Sequence, residues 1–338
     1  MEDASAATDA SSATDRASWL ALMETIGDSV GYFEPLGKSH WAFFVDESPT
    51  LLVTFETLGA IRSGSPDQMP IGHSIASARG WSHLCLIADG ETWYRDSAVF
   101  RYFDRLVDDA FFEDFDRVVF YGAGMGGYAA CAFSVTSPGA TVLAIQPVAT
   151  LDPALAGWDT RHRRQRRLSF SDRYGFAPDM TEGAGDVYLI HDPRETLDAM
   201  HAALFARPYV HNLRCPNLGP RLEMALSQMG ILRPLIEAAC DGTLSPGLFH
   251  RLYRERRRHI PYLRQVFSRL GETGRPLLAA LLARNVSTRM PAPRFKKRFT
   301  ELQAQLAVAG QVVPPAQNPR GSAPRPEEPV ADDTSAED

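Results

Sequence analysis

A glycine-rich turn joins a short apolar run directly to a small-residue helix at residues 117–131, and this feature constrains the fold most. Arg117–Tyr121 is rich in β-branched and aromatic residues, which favour a strand. Four glycines follow within six residues, and the small side chains beyond Met125 suit a closely packed helix. A strand that turns so tightly into a helix is typical of α/β folds, in which the helix packs back against a sheet.

Short apolar runs alternate with helical patterns up to about residue 215. Several runs are nearly continuous in apolar residues, as expected of strands that are covered on both faces. Such alternation implies right-handed crossovers, so we predict an α/β fold with a mostly parallel central sheet flanked by helices. The predicted strands are Trp41–Val45, Leu51–Phe55, His83–Ala88, Arg117–Tyr121, Thr141–Gln146, Val187–His191 and Val210–Arg214, and the helices between them are Ser97–Phe112, Met125–Ser134 and Glu195–Phe205.

Helical patterns follow one another without strand patterns after Pro220. Proline or glycine marks most of their junctions, and Ser245 before Pro246 is a suitable N-cap. These residues predict an all-helical C-terminal extension. Its predicted helices are Arg221–Ala239, Pro246–Arg258, Pro261–Leu270 and Pro276–Asn285.

The two ends of the chain differ in composition from the rest. Residues 1–14 are rich in Ala, Ser and Asp, and residues 311–338 are rich in Pro, Ala and acidic residues. Such segments bury too little apolar surface to offset their ordering entropy. We therefore predict disordered tails at 1–14 and 311–338, an α/β domain at 15–240, and a helical extension at 241–310.

Charge and hydropathy narrow the functional classes. The 338 residues carry a formal net charge of −6, so wholesale nucleic-acid binding is not favoured. No apolar run approaches the roughly 18 residues that cross a bilayer. The first residues lack the basic and apolar parts of an export signal. We expect a cytoplasmic protein without a membrane span.

The cysteines and histidines form no metal-binding pattern. The four cysteines are widely separated and include no C-x-x-C pair, which favours buried free thiols. The nine histidines do not cluster at metal-ligand spacing, so we predict no bound metal. His191 is the most site-like of them, because it stands beside Asp192 at the end of a predicted strand. A structural role within the strand is the other interpretation.

The glycine-rich turn resembles the nucleophile elbow of the α/β hydrolases, G-x-S-x-G. The extended frame G-x-S-x-G-G fits Gly122-Ala123-Gly124-Met125-Gly126-Gly127, with Gly124 in the place of the serine. In this family, small residues on both sides of the nucleophile allow the strand and the helix to approach closely. Neither Ala123 nor Met125 can replace the serine as a nucleophile.

The resemblance covers about residues 40–240 and implies roles for other segments. The strand ending at Phe55 is similar to the one whose following loop lends an oxyanion-hole amide. The strand ending at His191 is similar to the one that delivers the acid, with Asp192 the first match and Asp198 the second. The family's histidine follows the next strand, but none occurs in Cys215–Leu222. The interval at about 147–185 corresponds to a cap over the cleft.

Two positions of the catalytic triad are therefore empty. Glycine has no oxygen with which to attack, and no histidine is placed to activate one. By the resemblance, this is a catalytically inactive protein of hydrolase fold that acts in binding, regulation or scaffolding and needs no cofactor. The candidate binding residues are Phe55, Gly122, Gly124, Met125, Gly126, Gly127 and His191.

The same turn also fits the dinucleotide-binding pattern G-x-G-x-x-G, through Gly122, Gly124 and Gly127. There a pyrophosphate rests on bare amides at a helix N-terminus. Against this, the next strand ends in Gln146 rather than an acid, and about three strands precede the motif. A nucleotide-dependent oxidoreductase stays the alternative, beside a purely structural glycine turn. The motifs of phosphoadenosine phosphosulfate reductases, an S-G-G-K-D-S-like loop and an E-C-G-[IL]-H cysteine, do not occur.

A run of arginines is conspicuous in this acidic chain. Its members, between the predicted strands that end near Gln146 and begin near Val187, are Arg161, Arg163, Arg164, Arg166 and Arg167. They could bind an anionic ligand or a protein partner through guanidinium forks. The other interpretation, which we favour, is a solvated face that pairs with the acids Asp108, Asp109, Glu113, Asp114 and Asp116. Basic residues at 251–258 and 294–298 could contact RNA, a membrane surface or an acidic protein, but we favour a polar helix face at both.

Overall fold

The computed structural model describes residues 9–315. Within them, eight strands form one sheet. All seven predicted strands are present, each within two residues of its predicted bounds. In chain order the strands are β1 (Gly31–Leu36), β2 (His40–Val45), β3 (Thr50–Thr57), β4 (Ser82–Ala88), β5 (Arg117–Ala123), β6 (Thr141–Ile145), β7 (Asp186–His191) and β8 (Val210–Arg214).

The α-helices of the described residues alternate with the later strands and then continue alone. Short 3₁₀ turns extend some of them. In chain order the helices are α1 (Arg16–Val30), α2 (Leu58–Gly64), α3 (Ile71–Ser77), α4 (Ser97–Asp108), α5 (Met125–Phe133), α6 (Pro153–Ala156), α7 (Ala177–Met180), α8 (Thr196–Leu204), α9 (Leu222–Gln228), α10 (Leu232–Cys240), α11 (Pro246–Leu252), α12 (Ile260–Glu272), α13 (Pro276–Arg289) and α14 (Pro293–Val308).

The strands are hydrogen-bonded in the order β1-β2-β4-β3-β5-β6-β7-β8. β2 runs antiparallel to both of its neighbours, and every other pair is parallel. A mostly parallel sheet of this order, flanked by helices, is an α/β-hydrolase-like fold, so the predicted fold class is confirmed. β5 lies between β3 and β6 near the centre of the sheet, where the resemblance predicts this strand.

β1 is the strand that the sequence does not predict. It lies at the edge of the sheet and pairs with β2 alone. Its residues are exposed or half-buried up to Leu36, so no apolar run marks it. Pro35 lacks a backbone N–H, which an edge strand tolerates because one of its sides makes no ladder bonds.

Apolar layers cover both faces of the sheet. On one face, the rings of Phe55, Phe103 and Phe133 stack beneath α4 and α5, with 4.2 Å between the ring centroids of Phe103 and Phe133. On the other face, leucine and isoleucine side chains of the strands pack against α9 and α10. Every residue of α5 after Met125 is buried, which explains why that helix is built largely from small residues.

The chain divides into two compact units, Met1–Tyr262 and Leu263–Asp338. The sequence places the start of the helical extension near residue 241, but α11 belongs to the first unit. The reason is that Phe249 and Tyr253 pack in the same apolar core as the strands. The second unit holds most of α12 together with α13 and α14, of which the sequence does not predict α14. No helix within residues 9–315 combines the length and the apolar character needed to cross a bilayer.

Two other segments differ from their predicted form. The predicted helix Arg221–Ala239 is two helices, because Gly230 adopts a φ of 69° between α9 and α10. Residues 9–14, which composition predicts to be disordered, are anchored at two positions: Ala10 and Ala13 are buried, and the Ala10 N–H donates to the Asp67 carbonyl at 3.0 Å. The rest of the predicted tails, residues 1–8 and 316–338, lies outside the described residues.

We expect Gly122→Ala to destabilise the protein by about 3 kcal/mol, as a severe case of overpacking. A Cβ atom at Gly122 would lie 2.1 Å from the carbonyl oxygen of Gly126, and backbone cannot move aside as a side chain can. The measurement is urea denaturation. Gly59→Ala is the control, because no heavy atom lies within 4 Å of a Cβ at Gly59. Equal stability of the two variants would show that β5 and α5 are not in close contact at this turn.

Candidate functional site

The turn between β5 and α5 is fixed by an unusual backbone conformation at Gly124. There φ is 55° and ψ is −114°, a combination that glycine alone adopts without strain. The Gly124 N–H donates to the Ile145 carbonyl at 2.8 Å, and the Gly124 carbonyl accepts from the Tyr128 N–H at 3.0 Å. The turn is therefore held between the end of β6 and the first turn of α5.

The glycines of this turn serve two different purposes. Cβ atoms at Gly122 and Gly126 would lie 2.1 Å and 2.3 Å from backbone oxygens, of Gly126 and Phe55 respectively. A Cβ atom at Gly127 would lie 3.0 Å from the Ile145 oxygen. These three glycines allow the strands and α5 to touch. At Gly124, by contrast, no heavy atom lies within 4 Å of the Cβ position, so a side chain there would enter open space.

Gly124 lines a cavity of about 280 Å³. A cavity of this size suits a compact small molecule. None of its ten lining residues carries a hydroxyl or a thiol. They are Glu91, Trp93, Gly124, Met125, Gln146, Val148, Arg161, His162, Asp198 and Pro220. Of the candidates from the sequence, the structure thus brings Gly124, Met125, Asp198 and Arg161 together.

Phe55 and His191 do not line this cavity. The Phe55 ring is buried in the aromatic stack beneath α5, although its carbonyl oxygen touches the turn at Gly126. His191 is buried at the end of β7, and burial together with the nearby charge of Arg214 lowers the pKa of its imidazole. Its Nδ1 atom has no hydrogen-bond partner among residues 9–315.

Asp192 follows β7, and its carboxylate holds a loop. One oxygen accepts the backbone N–H of Arg194 at 2.9 Å, and the other accepts the N–H of Gly219 at 2.9 Å. Gly219 lies in the loop after β8, and the next residue, Pro220, reaches the cavity wall. The carboxylate is buried and engaged with backbone on both sides.

Asp198 stands at the cavity wall within a hydrogen-bond network. The Gln146 side-chain amide donates to one carboxylate oxygen at 2.6 Å, and the Arg161 guanidinium donates to the other. The side-chain oxygen of Gln146, Oε1, in turn accepts a hydrogen bond from the backbone N–H of Leu222 at 3.0 Å. Both oxygens of Asp198 are therefore occupied, and Gln146 ties the end of β6 to the start of α9.

A buried ion-pair network beside the cavity involves two residues that the sequence does not single out, Asp159 and His201. Asp159 is fully buried and bonded to the Arg161 guanidinium at 2.8 Å and to His201 Nε2 at 2.9 Å. His201 Nδ1 accepts the Ala149 N–H, so Nε2 carries the proton. Burial opposes ionisation of Asp159, but the hydrogen bonds from His201 and Arg161 hold its pKa well below the usual range.

The arginine run does not form one patch. Arg161 is paired with Asp159 and Asp198, and the Arg166 guanidinium donates to backbone carbonyls, among them that of Gly157 at 2.9 Å. The other three members, Arg163, Arg164 and Arg167, are exposed. In the described part of the chain, no ion pair links the run to the acids between Asp108 and Asp116. The predicted pairing with those acids is therefore absent there, and two of the five arginines, Arg161 and Arg166, bind groups next to the cavity or in their own segment instead.

Trp93 and His162 form a further part of the cavity wall that sequence reasoning missed. Their rings meet edge to face with centroids 4.9 Å apart. The Trp93 side chain is 2% exposed, and its indole N–H has no acceptor among the described residues. Burial lowers the pKa of His162, so its imidazole is neutral at pH 7. No motif marks either residue, because the fold alone brings residues 93 and 162 together.

A second titratable cluster lies along the neighbouring strands β3 and β4. The Glu56 carboxylate accepts the N–H groups of Ile71 and Gly72 at 2.9 Å and 3.2 Å and the Thr54 hydroxyl at 3.0 Å. Burial raises the pKa of Glu56 to about 7, against the effect of the two backbone N–H groups. Glu223 is a second carboxylate near it, whose own pKa burial also raises.

This cluster also contains the one set of side chains in residues 9–315 with metal-ligand geometry. Ligand atoms of Glu56, His83 and Cys85 lie within 4.8 Å of one another, and such a nitrogen, sulfur and oxygen set suits a transition metal. The Thr54 hydroxyl lies 3.0 Å from both Glu56 and His83, so hydrogen bonds already join the set. That the protein binds no metal therefore stays a prediction from the sequence.

No protein-family model matches the sequence, and no curated protein sequence matches it. The solved structures similar to the chain include two esterases and an α/β hydrolase domain-containing protein. A hyperthermophilic esterase from Pyrobaculum calidifontis has 12% identity and a TM-score of 0.41, over 67% of this chain and 91% of that chain. The carboxylesterase EstE1 from a metagenomic library has 12% identity and a TM-score of 0.41, over 64% of this chain and 90% of that chain. The mouse alpha/beta hydrolase domain-containing protein 10 has 12% identity and a TM-score of 0.38, over 63% of this chain and 98% of that chain. Likenesses this distant say nothing about activity.

We expect Glu56→Gln to remove a pH dependence of stability. Because the pKa of Glu56 is raised from 4.5 to about 7 in the folded state, its stabilising contribution is complete below pH 4.5 and is lost as the pH rises through 7. The parent protein should therefore lose up to about 3 kcal/mol relative to the glutamine variant between pH 4.5 and 8. Urea denaturation of both proteins at these two pH values measures this difference.

Glutamine removes the titration while keeping the size of the side chain, so the other titrating groups cancel in the comparison. A constant difference between the two proteins from pH 4.5 to 8 would show that Glu56 titrates as an ordinary surface carboxyl group.

Proposed function

We propose that the turn at residues 122–127 is a nucleophile elbow without a nucleophile, and that the protein acts by binding rather than by cleaving. Gly124 carries this proposal, since it combines positive φ with open space where a serine side chain would project. A glycine offers no atom that could form a covalent acyl intermediate. The walls of the cavity supply no hydroxyl or thiol in its place.

The position of Asp192 supports the same proposal. It follows β7, where the resemblance places the acid of a triad, but its oxygens accept backbone N–H groups of Arg194 and Gly219. Gly219 belongs to the loop after β8, where the resemblance places the histidine. In a working triad the acid orients an imidazole, whereas here it holds the backbone of the loop from which that imidazole is missing.

The character of the cavity favours a compact ligand that is not strongly anionic. The wall carries two carboxylates, Glu91 and Asp198, against the one guanidinium of Arg161, which is already paired with Asp198. The unpartnered indole N–H of Trp93 would gain a hydrogen bond from an acceptor on the ligand. Apolar contact comes from Met125 and Val148. Such a mixture of apolar walls and a few polar groups is typical of small-molecule sites.

The dinucleotide alternative has less support. An acid does stand beside Gln146, but this acid, Asp198, already accepts hydrogen bonds from the Gln146 amide and the Arg161 guanidinium, with which a ribose would compete. The motif also follows the fifth strand of the chain rather than the first. The cavity of about 280 Å³ lies at the small end of ligand sites.

We expect Gly124→Ser to cost about 1 kcal/mol of stability and to create no esterase. The cost arises because a non-glycine residue is strained at this φ, and turnover should be absent because Asp192 has no histidine to orient. Gly124→Val should be less stable still, since β-branched residues are outliers there. Urea denaturation and an assay with activated esters measure the two effects.

Gly139→Ser is the matched control for strain, because Gly139 also has positive φ (82°) and open space at its Cβ position. It should lose a similar amount of stability. A serine variant at Gly124 that is as stable as the parent would show that the residue does not occupy an elbow. Ester turnover by the parent protein that His162→Gln abolishes would replace the binding proposal with general-base chemistry at the cavity wall.

A further inference from the structure

The second unit contains a large groove with an apolar interior and an arginine-rich border. Its volume is about 880 Å³, and α12, α13 and α14 line it. Phe267 and Phe295 meet there edge to face, with ring centroids 5.6 Å apart, and Leu302 adds further apolar surface. This groove is independent of the cavity at Gly124 and of the function proposed for it.

The border of the groove carries an excess of positive charge. Four arginines line the groove against two glutamates, Glu272 and Glu301. Glu301 is paired with Arg298, and Glu272 accepts the Ser268 hydroxyl. The other three arginines are exposed and have no carboxylate partner within residues 9–315: Arg264, Arg275 and Arg294. An occupant of this groove should therefore combine carboxylates with a small apolar group.

The chain itself supplies a segment of this chemistry. Residues 327–333 read Glu-Glu-Pro-Val-Ala-Asp-Asp, in which Val330 stands between two pairs of acids. This order matches an apolar interior with cations on its border. The segment carries four negative charges and no positive one, while the groove lacks carboxylates for three of its arginines.

The segment is tethered within reach of the groove. The described residues end at 315, and the Pro314 carbonyl accepts a hydrogen bond from Arg284 of α13 in the same unit. The twelve residues 316–327 can span about 40 Å when extended. α14, with its 16 residues, is about 24 Å long. Tethering also raises the effective concentration of the segment to about the millimolar range, so weak contacts suffice.

We propose that residues 327–333 of the same chain dock in the groove between α12, α13 and α14. The acids on either side of Val330 pair with Arg264, Arg275 and Arg294, and Val330 contacts the apolar interior. Because the ion pairs lie at the surface, docking is reversible and weakens with salt. The groove is then available to a competing acidic partner only when the segment leaves it.

Photo-crosslinking from the segment tests this proposal in the full chain. Ala331→Cys can be labelled selectively with a benzophenone maleimide, because the four native cysteines are at most 2% exposed. After irradiation, mass spectrometry should locate the crosslinks between residues 264 and 305 on a species of monomer mass. The crosslink yield should fall several-fold in 0.5 M salt, where the screening length is about 4 Å.

Two sets of substitutions test the contributions of the segment and of the groove one at a time. Glu327→Gln, Glu328→Gln, Asp332→Asn and Asp333→Asn change only the segment, so the fold of the groove is unaffected. Arg264→Glu, Arg275→Glu and Arg294→Glu change only the border. Each set should lower the yield by about tenfold, from the summed loss of several surface ion pairs. The control set Arg163→Glu, Arg164→Glu and Arg167→Glu removes three exposed arginines of the first unit and should leave the yield unchanged.

Three results would overturn the proposal. The first is a yield that survives neutralisation of the segment, and the second is crosslinks located mainly outside residues 264–305. The third is a crosslinked species of dimer mass, which would assign the groove to a second copy of the chain.

Discussion

The contact between β3, the turn after β5, and the first residues of α5 is the constraint on which the rest of the first unit depends. Backbone touches backbone there, because Gly122 and Gly126 leave no room for a Cβ atom. Side chains cannot adjust at such a contact, so the direction in which α5 leaves the sheet is set by the glycines alone. The burial of every helix residue after Met125 follows from that direction.

The functional geometry follows from the same turn. Gly124 lies where the chain turns from strand to helix, and as a glycine it adopts the positive φ of this turn without strain. The cavity forms beside it from loops that follow other strands, and those loops are held by Asp192, Asp198 and Asp159. These three acids, of which Asp192 follows β7 and Asp198 lies in α8, thus anchor backbone and arginine groups around the cavity.

The sheet could be predicted because its strands are continuous apolar runs, and the turn because glycine spacing has a direct backbone meaning. β1 escaped prediction because an edge strand needs no apolar run. The residues of the cavity wall could not be predicted for another reason. Trp93 and His162 come from separate loops, and the partners of Asp159 depend on where α8 lies, so nothing in the local sequence marks them. Packing of residues 9–14 likewise depends on Asp67 and Gln68, which are distant in the chain.

The most direct test of the central claim is treatment of the native chain with a fluorophosphonate, followed by intact-mass measurement. These reagents form a covalent adduct with an activated serine nucleophile. The account predicts an unchanged mass under conditions in which a serine hydrolase of similar fold is labelled completely. A stoichiometric adduct on any residue of the chain would reveal an activated nucleophile and contradict the account.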